Sequence, residues 1–233
     1  MTKIKNFFKN ITNSKKKVFA LALSVCVVVL SIASSSIAYF TDTDEYTNTF
    51  TSGNVTITLT ESVAARNTLG NVVKDTSQPR IAYNDDVVYG KIFPTQTIDK
   101  DPLITLDSTS ENAYVGAIVT LNKTGIGNIL DDENDVKNFI TGLPTSGATV
   151  KVSITADAIT IYIVHETALA PNGTAQVFTG LKMFDTWTST EMSALAGLQL
   201  HVKAYAVQKD GFADATTALK TAFTGAFNNM PTP

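Results

Sequence analysis

The chain of 233 residues holds one cysteine, Cys26, and it lies inside an apolar run. Residues 27–233 have none, which excludes a disulfide framework and a thiol nucleophile there. Export without disulfides suits a bacterial cell surface better than a small eukaryotic secreted scaffold. Cys26 sits mid-run, whereas a lipoprotein anchor would place it at the end. Arginine occurs only at Arg66 and Arg80, and histidine only at His165 and His201. There is no Gly-rich phosphate loop and no G-x-S-x-G elbow. No second long apolar run follows the first, so no stable membrane span is expected once that run is removed. The ending "NNMPTP" carries no wall-sorting signal or basic stop.

What is present is unevenly distributed. Residues 1–38 carry Lys3, Lys5, Lys9, Lys15, Lys16 and Lys17 and no acid. Residues 39–233 then hold twelve basic against twenty-one acidic groups, a net charge of −9. A basic tail on an acidic body argues against nucleic-acid binding by the body and assigns the positive end to membrane targeting. The segment "KKKVFALALSVCVVVLSIASSSIA" has the three parts of a signal peptide: lysines, an apolar stretch from Val18 to Ala33, and small residues Ser36 and Ala38 before a cut. The reading predicts a signal helix over 1–38, removed by a signal peptidase between Ala38 and Tyr39. An uncut N-terminal anchor is the alternative.

Beyond residue 53 the pattern is that of strands. Val55, Ile57 and Leu59 alternate with threonines, as do Val115 to Leu121, Val150 to Ile154, Ile159 to Ile163 and Leu198 to Ala206. Shorter strands are expected at 87–93, 103–107 and 175–181, separated by the turns "FPTQ", "DKDP", "GLPTSG" and "APNG". Each such strand must bury one face, and two packed antiparallel sheets achieve this. Helices are expected at "DDENDVKNFI", whose acids suit a helix start, at "FADATTALKTAF", and at 189–196. The expectation is an all-β sandwich over 54–233 with two or three short peripheral helices.

Catalytic chemistry is present only in fragments. "HETAL" at His165–Leu169 is half of the H-E-x-x-H zinc motif, with Leu169 where the second histidine belongs. The preceding "TIYIV" is a strand pattern, which would destroy the helical spacing. A catalytic zinc takes about three protein ligands, so His165, Glu166 and His201 would have to converge from a distance. "DDEND" at 131–135 is a solvated helix start that offers a weak cation site at most, because Val136 and Gly142 occupy the sixth and twelfth positions of a calcium loop. The residues predict no catalytic group, no metal and no cofactor.

The join between leader and body has a specific look. "IAYFTDTDEYTNTFTSGNVTITLTE" resembles the opening of the TasA/camelysin-type exported proteins of Gram-positive bacteria. "IFPTQTIDKDPLITLDSTSENAYVGAIVTL" and "AYAVQKDGFADATTAL" extend the resemblance over most of residues 18–223. The resemblance implies a jelly-roll sandwich, processing by a dedicated signal peptidase, and a secreted or surface location where members often form matrix fibres. Some members carry a metallo-endopeptidase label, which would rest here on the incomplete "HETAL". A clostridial-type branch keeps the signal and the sandwich with no known activity.

Residues 39–53 form an extended segment of alternating character. Phe40, Tyr46 and Phe50 share one face, and Thr41, Thr43, Glu45, Thr47, Thr49 and Thr51 the other. It is either the first strand of its own sandwich or a donor strand for a second copy. Each aromatic it buries is worth about 1.5–3 kcal/mol. The expected function is a self-associating structural protein of the cell surface or matrix. The rivals are a secreted metallo-endopeptidase and a monomeric surface-binding module with Trp187 or Tyr162 lining a shallow site.

Overall fold

A computed structural model describes residues 41–44, 55–83 and 93–232. The predicted strand at 87–93, the leader, and the proposed assembly residues Phe40, Tyr46 and Phe50 lie outside these residues, apart from Phe93, which is in irregular structure. The chain divides into two units, Met1–Tyr39 and Phe40–Pro233, and the description concerns the second.

The unit is mostly β, with a few short helices. The strands are β1 (Thr41–Asp44), β2 (Ile57–Glu61), β3 (Ala64–Arg66), β4 (Val72–Lys74), β5 (Ile81–Ala82), β6 (Thr97–Asp99) and β7 (Leu103–Leu106). They continue with β8 (Ala113–Asn122), β9 (Ile140–Thr141), β10 (Ala148–Ile154), β11 (Ala158–His165), β12 (Thr174–Gln176), β13 (Gly180–Lys182) and β14 (Gln199–Gln208). Three sheets result, ordered β1-β14-β8-β11-β10, β12-β7-β2-β5 and β3-β4-β6-β13-β9. Among the described residues, pairing is antiparallel except for one parallel contact, Val72 to Ile98. The expected strand at 175–181 is two strands, because Val177–Thr179 leaves the ladder of β7 before β13 joins β6.

The long strands set the architecture. In β8, β11 and β14 one face carries Val115, Ala117, Val119, Ile161, Val202 and Ala204, all buried in a common core with Ile57, Ile104 and Leu106 of the facing sheet. This is the two-sheet packing that alternation dictates. The other face departs from expectation. It carries Tyr114, Ile118, Tyr162, Val164, Tyr205 and Val207, and these are buried too. Seven consecutive residues of β8, Ala113 to Val119, are buried, the signature of a strand covered on both sides.

Two C-terminal helices provide the second cover, and two others pack on the inner core. α1 (Glu133–Phe139) is capped by Asp132 and α2 (Ser189–Ala194) by a Thr188–Glu191 capping box. α3 (Ala215–Ala222) follows Asp214, whose Oδ1 accepts from the Thr217 N–H at 2.8 Å, and α4 (Thr224–Phe227) completes the turn. Leu219 and Phe227 pack on the outer face of the central sheet. The approach is close because β8 has a glycine there. A Cβ on Gly116 would lie 2.7 Å from Leu219 Cδ1 and 2.9 Å from the Ile163 carbonyl oxygen.

Candidate functional site

One rim of the five-stranded sheet is formed by β1 on β14. β14 is a strand by alternation of Leu200, Val202, Ala204 and Ala206, and its full length pairs with β8. On its other side it receives β1 in the register Thr41–Val207, Asp42–Ala206, Thr43–Tyr205 and Asp44–Ala204. Four pairs hold β1, against ten between β14 and β8. Tyr205, opposite Thr43, stacks edge-on against Phe223 and Phe227 at 5.0 and 5.2 Å. Burial, with the nearby Tyr162, pushes its hydroxyl pKa up. At the opposite edge of the sheet, β10 pairs with β11 over seven residues.

The register separates the metal candidates. His201 pairs with Thr120, and Thr120 with Thr160, five residues from His165 along β11. With strands about 4.8 Å apart and a rise of about 3.3 Å per residue, the two histidines are about 19 Å apart. Their positions also have opposite parity, so they occupy opposite faces of the sheet. Glu166 is exposed and accepts from the Thr149 hydroxyl at 3.2 Å. His165 is different in kind. Its Nε2 is buried and unpartnered. Burial holds the imidazole below its ordinary range, and a bond to the Gln176 backbone opposes that shift only in part.

Asp131, Asp132 and Asp135 bring one carboxylate oxygen each within 4.8 Å of one another. Burial and then the charges of Asp132 and Asp131 raise Asp135. Asp132 Oδ1 already accepts from the Asp135 N–H as the cap of α1. An open cleft of about 390 Å³ beside Asp135 is lined by Asn138, Lys182, Phe184 and Asp185. The two aromatics that the surface-binding rival would place at a shallow site are interior. Trp187 stacks with Phe184 and Phe139 at 4.7 and 5.8 Å, and Tyr162 faces Phe227 at 6.3 Å.

A polar cluster escaped the sequence reading. Lys100 Nζ and Glu61 Oε2 are 2.7 Å apart, with side chains 3 % and 5 % exposed. The Lys100 ammonium also lies 4.2 Å from the Tyr83 ring centre, a cation–π contact. Beside them Asp101 accepts from the Ser62 N–H and hydroxyl and from Arg80, at 2.8, 2.9 and 2.9 Å. Burial pushes the Asp101 carboxyl up, but these donors outweigh it and hold it below the usual range. The signal was in "VTITLTE": Glu61 has the parity of the inward Val55, Ile57 and Leu59, and an acid on a buried face calls for a cation.

No protein-family model, curated protein or solved structure matches the chain. Among the described residues, no helix is long and apolar enough to cross a membrane.

Proposed function

We propose that the protein is an exported structural component of the cell surface or extracellular matrix of a Gram-positive bacterium, and that copies associate by β-strand pairing. The observation that carries this reading is the place of β1. Thr41–Asp44 follows the predicted cut at Ala38–Tyr39 and lies at the rim of the five-stranded sheet, in register with Val207 to Ala204. The same ladder positions on β14 are chemically equivalent for β1 of a second copy. Backbone hydrogen bonds would hold either strand equally, and Phe40, Tyr46 and Phe50 add apolar area at the new position. Tethered to an uncut leader, the segment has little reach. Signal peptidase cleavage releases it, which makes processing the trigger for assembly.

We also read the sandwich as a jelly roll, because the chain crosses repeatedly between facing sheets, from β7 to β8 and from β11 to β12. The metallo-endopeptidase alternative would need a site that the two histidines, about 19 Å apart by strand spacing, do not build together.

The test is deletion of Tyr39–Phe50 behind an intact cleavage site. Light scattering of the secreted protein should show a lasting monomer where the parent grows with time. Growth at the parent's rate overturns the reading.

A further inference from the structure

The Glu61–Lys100 pair is placed for more than an ion pair. Both side chains are out of water, and their reacting groups are in contact at 2.7 Å. The neighbouring residues lock them side by side, since Ser62 binds Asp101 through its N–H and its hydroxyl, and Arg80 Nη1 braces the same carboxylate. The Arg80 guanidinium also binds the Thr60 carbonyl, at 3.0 Å. Two short segments 39 residues apart in sequence are thereby held with a carboxyl against an amine. Glu61 ends β2 of one sheet, while Lys100 directly follows β6 of another.

We propose that Glu61 and Lys100 form an intramolecular amide cross-link. In the reacting step the proton passes from Nζ to Glu61 Oε2 across the 2.7 Å contact, leaving an amine beside an acid. Nζ then attacks Glu61 Cδ and a C–N bond forms. The nitrogen briefly regains a positive charge, which the Tyr83 ring face stabilises. It yields a proton to the departing hydroxyl, the C–O bond breaks, and one water leaves. Atoms and charge balance without oxidant, reductant or cofactor. The fixed contact replaces a bimolecular encounter by an intramolecular one, and the product removes two buried charges. The link ties two sheets together in a body that has no cysteine to do so. It does not depend on the proposed assembly.

The experiment is an intact-mass measurement of the full chain followed by tryptic mapping. The expected mass is that of the sequence less one water. Trypsin should then fail to cut after Lys100, leaving a branched peptide that joins the fragment ending at Arg66 to residues 92–123. Lys100→Arg keeps the cation and should restore the full mass. An unmodified mass in the parent, with ordinary cleavage after Lys100, overturns the proposal. So does a water deficit that persists in Lys100→Arg.

Discussion

The central sheet is buried on both faces, but by different means. Its inner face packs against strands drawn from along the chain, from Ile57 in β2 to Leu181 in β13. Its outer face is covered by one contiguous stretch, residues 212–230, which follows β14 after a short turn. The inner core is therefore distributed and the outer core local. A distributed core opens only with the whole fold, whereas a local cover can open alone. The difference bears on the β1 edge, because Tyr205 joins that edge to the helical cover.

The sharpest way to break this contrast is a matched pair of truncations. Phe178 lies in the inner core and Phe227 in the outer, and both are fully buried. Phe178→Ala and Phe227→Ala should each cost about 3–5 kcal/mol at their sites. Hydrogen exchange should separate them: Phe178→Ala lowers protection throughout the sheets, whereas Phe227→Ala lowers it chiefly over 215–227. Equal loss across the chain in both variants would make the two cores one cooperative unit.

A smaller effect is expected from Gly116→Val. The added atoms meet Leu219 and the Ile163 carbonyl oxygen, and the latter is backbone that cannot give way. Overpacking of this kind costs about 1–3 kcal/mol. Urea denaturation should report the loss, with the exposed outer face detected by a hydrophobic dye.

The smallest effect is confined to the inner side and to acid. Burial lowers the His165 pKa, so the folded chain takes up that proton less readily than the unfolded chain. This contribution is complete above the unfolded imidazole's range and is lost as pH falls through that range toward the folded value. His165→Gln should flatten that part of the stability–pH curve, measured by urea unfolding between neutral and mildly acidic pH. An unchanged acid slope would show that the buried Nε2 is not responsible.

The contrast also marks how far the sequence could be read. Long alternating strands such as β2, β10, β11 and β14 were legible because period two survives wherever one face is buried. α1 was legible from the acids of "DDEND" and α3 from the apolar face of "FADATTALKTAF". Strands of two or three residues, β3 to β6 and β9, were not, since so few positions carry no period. The cover of the outer face was not foreseen: alternation required only one buried face, and the helices explain the burial of Tyr114, Ile118 and Tyr205. β1 lies inside the alternating segment 39–53 that the sequence singled out. Its register on β14 was not legible, because pairing across 160 residues leaves no local mark. Lys100 was hidden in a turn motif, "DKDP", where a buried cation has no pattern of its own.

The aromatic placement gives the inner core an optical reporter of its own. Trp187 is the sole tryptophan and is ringed by Phe184 and Phe139 in the inner core, so its fluorescence follows that core alone. The outer face has no such isolated reporter, since Tyr205, set against Phe223 and Phe227, is one of seven tyrosines. One cuvette can thus follow melting of the inner core without any label.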